Sequence, residues 1–191
     1  AAVAARFAEL DCTVEEAHPG LADPWDQMHV IWATAFAGVY LDNFDQVRDK
    51  LDPGLLAVVE QGHKISGPQV AAAYIAKNSY YLAWREFMED YDLMLTPTLP
   101  ITAFAAGDDQ PGQINGHETT YLGWSAFTYP FNVTGVPTAT VPCGRAANGL
   151  PVGLQIVGRW RDDTTVLRAS AAFEALAPWD YELPPDIDQE R

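Results

Sequence analysis

With 191 residues, 48% of them hydrophobic and 12% aromatic, the chain can bury one continuous core, which excludes a disordered or fibrous protein. Its 26 acidic against 11 basic residues give a formal charge of −15, and Lys50, Lys64 and Lys77 are its only lysines, so the clustered cations that bind a nucleic-acid backbone directly are missing. No apolar run reaches the roughly 18 residues of a membrane-spanning helix, so no membrane partner is expected.

The opening Ala1-Ala2-Val3-Ala4-Ala5-Arg6 has neither an initiator Met nor the basic-then-apolar order of a signal peptide. It reads as the middle of a helix, and the chain is expected to begin partway through a larger protein. Cys12 and Cys143 are far apart with no second pair, which favours two reduced thiols in a cytoplasmic protein over a disulfide framework or zinc site.

In chain order, residues 1–10 are helical in pattern and Cys12-Thr13-Val14-Glu15-Glu16 reads as a short strand. Pro19-Gly20 is a break. Asp23-Pro24-Trp25-Asp26 then starts a helix, with Asp23 as cap and Pro24 in the first turn. Met28, Ile31, Trp32, Ala35, Phe36 and Val39 follow at spacings of three and four and predict one apolar face. Asp52-Pro53 opens a short helix that Gly62 stops. Ser66-Gly67-Pro68-Gln69 has the capping-box spacing, and the helix it opens is predicted to run to about Asp90. Its predicted buried stripe is Ala72, Ile75, Ala76, Tyr80, Ala83, Phe87 and Tyr91. A buried strand, Asp92–Thr96, ends at Pro97 and Pro100. Residues 101–122 show no period, and a loop that long in a compact domain is functional or disordered. Thr138–Val141 and Val152–Val157 then read as strands around the turn signal Asn148-Gly149. Asp162 or Asp163 caps a last helix to about Ala177, followed by an acidic, proline-containing tail. The order of elements implies an α/β fold around a mixed sheet, with the hairpin as its antiparallel part.

Three stretches together resemble the amidase-signature family. They are Tyr91-Asp92-Leu93-Met94-Leu95-Thr96-Pro97-Thr98-Leu99-Pro100, Phe127-Thr128-Tyr129-Pro130-Phe131-Asn132-Val133-Thr134-Gly135-Val136-Pro137, and Val141-Pro142-Cys143-Gly144 with Gly149-Leu150-Pro151-Val152-Gly153-Leu154-Gln155-Ile156-Val157-Gly158. Their order and spacing are more specific than any one alone, and the resemblance covers essentially the whole chain. It implies an α/β/α domain and hydrolysis of carboxylic amides through an acyl-serine, with no cofactor. In that family a Lys deprotonates a cis-configured Ser, which activates the nucleophilic Ser, and backbone N–H groups of a Gly/Ser-rich loop stabilise the oxyanion.

The chain departs from the pattern where the chemistry lies. Neither the Gly/Ser-rich stretch nor the upstream Lys is present, and Ser66, Ser79, Ser125 and Ser170 are the only serines. Residues 1–191 are therefore expected to be the C-terminal portion of a single amidase domain, inactive alone, with the catalytic portion N-terminal to Ala1. A homodimer through the face left by the missing half is the expected assembly. No catalytic residue is assigned.

By position, Trp124, Ser125 and Thr128 are the candidates for contact with a small-molecule amide. Trp124 reads equally as a half-buried core aromatic, and Thr128 as a turn cap. Asn132 and Gly135 are expected to shape the chain behind the site. Gln155, mid-strand, braces the catalytic loop or faces solvent, and a buried amide there must find partners. His117 reads as a surface residue, and His18, His29 and His63 have no metal-ligand spacing. Within the resemblance, a stand-alone amidase competes with the A subunit of the tRNA-dependent amidotransferase. That subunit usually carries Asp near Ser125 and a basic stretch where this chain has Val58-Val59-Glu60-Gln61. A non-catalytic interaction domain is the reading from a different class.

Overall fold

The computed structural model describes residues 2–179; the acidic tail predicted after the last helix lies largely outside them. The first element is the short helix α1 (Ala2–Ala5), tightened into a 3-10 turn over Arg6–Leu10. Residues 11–24 then run without helix or strand. The strand expected over Cys12–Glu16 does not form, because no described strand lies alongside to take its backbone hydrogen bonds.

Four helices follow: α2 (Trp25–Val39), α3 (Phe44–Val47), α4 (Pro53–Gly62) and α5 (Gly67–Phe87). Their starts are set by local chemistry. The Trp25 N–H donates to Asp23 Oδ1 at 3.0 Å and the Leu55 N–H to Asp52 Oδ1 at 2.9 Å. At α5, the Ser66 N–H donates to Gln69 Oε1 at 2.9 Å, the reach-back of a capping box.

The buried faces of α2 and α5 differ from the predicted stripes. On α2, Met28, Ala33 and Ala37 are buried while Val39 is 72% exposed. The reason is the partner helix. A Cβ on Gly62 of α4 would overlap the Ala33 carbonyl oxygen and lie 2.8 Å from Ala37 Cβ. Small residues here let two helices meet almost backbone to backbone, and that contact rotates the buried face onto the alanines. On α5, Ala73, Trp84 and the following Met88 are buried, whereas Ile75 is 68% exposed and Ala72 and Ala76 face out.

The sheet consists of β1 (Leu93–Pro97), β4 (Thr138–Arg145) and β5 (Pro151–Gly158), in the order β1-β5-β4 with both pairings antiparallel. A second, two-stranded ribbon, β2 (Gln113–Ile114) and β3 (His117–Glu118), turns through Asn115 and Gly116 with φ of 50° and 79°. It lies inside the stretch read as aperiodic. The helix α6 (Tyr129–Thr134) leads into β4, and α7 (Asp163–Leu176) follows β5, capped by Asp162 at the Thr165 N–H.

Strand periodicity divides the core in two. Leu154 and Ile156 point to the face covered by Val166 and Phe173 of α7 and by Phe7. Val157 points to the other, where Trp84, Met88, Phe131 and Val136 pack. Helices thus cover both faces, an α/β/α arrangement matching the expected fold class.

Gly62→Ala is predicted to destabilise the chain by about 1–3 kcal/mol through the Ala33 clash. Gly38→Ala, in the same helical layer but with nothing within 4 Å of the new Cβ, is predicted to stabilise it by about 0.5–1 kcal/mol. Urea denaturation of the two variants measures both signs.

Candidate functional site

Trp124, Ser125 and Thr128 lie on one turn between the ribbon and α6. Its centre is the Ser125 carbonyl, which accepts from the Thr128 N–H at 2.9 Å, the Thr128 hydroxyl at 3.0 Å and the Tyr129 N–H at 3.3 Å. The Ser125 hydroxyl donates to the Leu122 carbonyl at 3.0 Å. The Trp124 ring meets Phe104 edge to face, with centroids 5.4 Å apart and planes at 89°, and both residues are half-buried.

Close approaches dock this segment on the helical layer. A Cβ on Gly54 would overlap the Tyr121 ring, and one on Gly123 would fall 2.5 Å from Thr120 Oγ1 and 3.4 Å from the Trp25 ring. Burial first, then the Asp52 carboxylate, raises the Tyr121 hydroxyl above its ordinary pKa.

Gln155 connects the turn to the sheet. It is 3% exposed, on the central strand, opposite Thr96 of β1 and Thr140 of β4. Its Nε2 donates to Thr96 Oγ1 at 2.9 Å and to the Phe127 carbonyl at 2.7 Å. A buried amide must be bonded, and here one N–H pair ties β1, β5 and the 125–128 turn into a single unit. The alternative of a solvent-facing position is therefore excluded.

After the turn, α6 is bracketed by Pro130 in its first turn and by Gly135, which adopts φ 69° and donates its N–H to the Phe131 carbonyl at 2.8 Å. This is the left-handed C-terminal cap that glycine supplies most easily. Asn132 stands exposed on α6, its N–H donating to the Thr128 carbonyl at 3.3 Å. The Tyr129 hydroxyl donates to Asp23 at 2.7 and 2.9 Å, so the carboxylate that caps α2 also anchors α6. Burial first, and the hydrogen bond to Asp23 second, raise the Tyr129 pKa strongly.

The structure therefore gathers Trp124, Ser125 and Thr128, places Gln155 directly behind them, and sets Gly135 at the far end of α6 from them. Phe104 and Tyr121 were not singled out from sequence. Phe104 lies in a segment without period, and nothing local distinguishes it. Among the described residues no group of three His, Cys, Asp or Glu side chains converges to hold a metal. No described helix is long and apolar enough to cross a membrane.

Helices on both faces of an antiparallel sheet, with a polar turn tied to its central strand, place the chain in a known class. It belongs to the Amidase family, whose profile matches residues 1–167. It is 36% identical over 186 residues to an acylamidase of Rhodococcus erythropolis, covering 95% of this chain and 39% of that protein. It is also 33% identical over 197 residues to the A subunit of the glutamyl-tRNA(Gln) amidotransferase of Syntrophomonas wolfei, covering 88% of this chain and 39% of that protein. Among solved structures, a bacterial aryl acylamidase of the amidase-signature family superposes with a TM-score of 0.76 at 29% identity, over 93% of this chain and 39% of that one. A 6-aminohexanoate cyclic dimer hydrolase gives 0.79 at 25%, over 93% and 40%. The chain spans about two fifths of the length of these relatives.

Gln155→Met, which keeps the volume and removes the amide, is predicted to cost about 1–3 kcal/mol, because the Phe127 carbonyl loses a buried donor. Amide hydrogen exchange at Thr128 and Tyr129 should quicken in this variant more than exchange in α7. For Tyr129, the raised folded-state pKa means its contribution to stability is complete below about pH 10, the ordinary tyrosine value. Above that the unfolded chain loses the proton first, and stability declines as pH rises, by up to about 1.4 kcal/mol per unit. Tyr129→Phe should flatten that decline in denaturation curves measured between pH 9 and pH 11.

Proposed function

We propose that this chain is the pocket-bearing portion of an amidase that cleaves a carboxylic amide to an acid and ammonia or an amine. The serine nucleophile and its base are supplied by protein outside these 191 residues. The observation that carries the reading is the state of the four serine hydroxyls. Ser125 donates to the Leu122 carbonyl, Ser79 to Ile75, Ser170 to Val166, and Ser66 to the Gln69 side chain of its own helix cap. Each is engaged as a donor within its own turn or helix, and none has a Lys, a His or a second Ser as its hydrogen-bond partner among the described residues. A hydroxyl without an adjacent base is a weak nucleophile.

In this reading the acyl-enzyme chemistry proceeds on the missing portion. The serine oxygen attacks the amide carbonyl, the amine leaves with a proton, and water hydrolyses the ester to the acid. The turn at Trp124–Thr128 forms a wall for the substrate. Trp124, braced by Phe104, offers apolar surface to the acyl or aryl group. Thr128 and Ser125 are bonded to backbone and hold the wall's shape. Gln155 fixes the distance of that wall from the sheet. The 36% identity to an acylamidase over nearly the whole chain supports a stand-alone amidase.

The A subunit of a tRNA-dependent amidotransferase is the second reading, supported by the S. wolfei relative. The neutral Ser125, where that subunit is expected to carry an aspartate for the amino group of glutamine, argues against it.

The purified 191-residue chain is predicted to release no acid from a panel of aliphatic and aryl amides and to resist phosphonylation by a serine-directed fluorophosphonate, in which the serine oxygen would displace fluoride from phosphorus. Turnover that disappears on mutating one of the four serines to alanine would show that the chain carries its own nucleophile. In the intact protein, Trp124→Ala should raise KM for aryl amides by roughly ten-fold while leaving glutamine untouched as a substrate. Ammonia release from glutamine that depends on a partner protein would favour the amidotransferase instead.

A further inference from the structure

The face of the sheet that carries Val157 is covered unevenly. At Val157 itself, Trp84, Met88, Phe131 and Val136 pack on it. Strand alternation puts Gln155 and Gly153 on the same face, and the register sets Thr96 and Thr140 on either side of Gln155. Thr98 and Thr140 close over Gly153, where a Cβ would fall 2.7 Å from Thr98 Oγ1 and 2.8 Å from Thr140 Cγ2. Toward Gly153 and β4 the cover ends: Thr140 is exposed and Thr98 half-buried.

Two polar groups on this open part have capacity left. The Thr98 hydroxyl donates to Thr140 Oγ1 at 3.3 Å, and the Thr140 hydroxyl itself donates to no acceptor among the described residues. Gln155 is 3% exposed and spends its Nε2 on Thr96 Oγ1 and the Phe127 carbonyl. Its Oε1 accepts no hydrogen bond among the described residues. The buried side-chain atoms left without a partner among them are His29 Nδ1 and Trp84 Nε1, so Gln155 Oε1 is reached from outside.

An open acceptor and an open donor thus stand side by side. Gln155 and Thr140 are directly opposite across β5 and β4, a pairing that sets Cβ atoms about 5 Å apart. Together they complement the N–H and C=O of a peptide backbone. Apolar surface adjoins them in the chain. Leu99, next to Thr98, is 38% exposed, and Phe127, whose carbonyl Gln155 holds, is 39% exposed, and covering such groups is favourable. The chain spans 39% of its acylamidase relative, so most of the length of such a protein is available to supply the cover.

We infer that Gln155, Thr140 and Thr98 seat a backbone segment of the catalytic portion, with Gln155 Oε1 accepting a peptide N–H and the Thr140 hydroxyl donating to a peptide carbonyl. The inference rests on the reading that the nucleophile lies on protein outside these 191 residues. Gln155 then joins two segments through one amide. Its Nε2 holds the Phe127 carbonyl of the Trp124–Thr128 turn, and its Oε1 holds the incoming backbone, which fixes the proposed wall relative to the reacting serine. Gln155 and Thr140 are positioning residues in this arrangement, since they act through the segment they hold.

The test compares the intact protein with the 191-residue chain. Thr140→Cys is alkylated with iodoacetamide in each and followed by peptide mass spectrometry. In the 191-residue chain the introduced thiol is expected to react at a rate like that of the exposed Cys12. In the intact protein it should react at least about 100-fold more slowly. Thr140→Val in the intact protein should lower kcat by about ten-fold with KM unchanged, and Thr140→Ser, which keeps the hydroxyl, should restore it. Equal alkylation of the two proteins overturns the inference. So does protection of the 191-residue chain that grows with its concentration, the mark of a second copy, or protection of the intact protein that appears only with an amide substrate. A Thr140→Val variant with the parent's kcat overturns it as well. An intact protein that shields the thiol but hydrolyses no amide supports the seat and overturns the amidase reading instead.

Discussion

The buried amide of Gln155 is the constraint on which the arrangement of this chain turns. It sits on the middle strand of three, so its surroundings are closed on both sides by β1 and β4. An amide in that position must be hydrogen-bonded or it destabilises the fold. The Phe127 carbonyl meets the need at 2.7 Å and Thr96 at 2.9 Å. The position of the Trp124–Thr128 turn follows from this, because its backbone is the partner that the strand requires. The alternation that turns Gln155 toward the turn also turns Leu154 and Ile156 into the α7 core.

A second constraint is the set of positions where only hydrogen fits. Gly62 admits the Ala33 carbonyl and Gly54 admits the Tyr121 ring. Gly153 admits Thr98 and Thr140, whose Oγ1 and Cγ2 would lie 2.7 and 2.8 Å from a Cβ placed there. Together they bring the helical layer, the long loop and the sheet within contact of one another. Asp23 adds a polar joint, capping α2 through the Trp25 N–H and holding α6 through the Tyr129 hydroxyl.

Such an arrangement supplies shape more than chemistry. The Ser125 and Thr128 hydroxyls are spent on backbone carbonyls, and neither bond involves a charged group. The chain accounts for about two fifths of the length of its amidase relatives.

The sequence by itself determined the features that rest on short-range chemistry. The caps at Asp23, Asp52, Ser66 and Asp162, strands at 92–96, 138–141 and 152–157 (the second extending to Arg145 in the structure), and the family resemblance were all legible, because each depends on residues within a few positions of one another. Local signals for two missed elements were also present. Asn115-Gly116 carries the turn dipeptide of β2–β3, and Pro130 with Gly135 brackets α6; flanks of only two residues in the first case, and a helix of six in the second, left no periodicity to support them. What only the tertiary structure decided is which side of each element is buried. The apolar stripes read from α2 and α5 were turned by their partners, toward Ala33 and Ala37 where Gly62 approaches and toward Trp84 and Met88 where the sheet lies. The same holds for Gln155, whose side chain could be solvated or bonded until Phe127, 28 positions away in the chain, was placed against it. Periodicity states that a helix or strand has a face, but burial depends on which distant surface arrives to cover it.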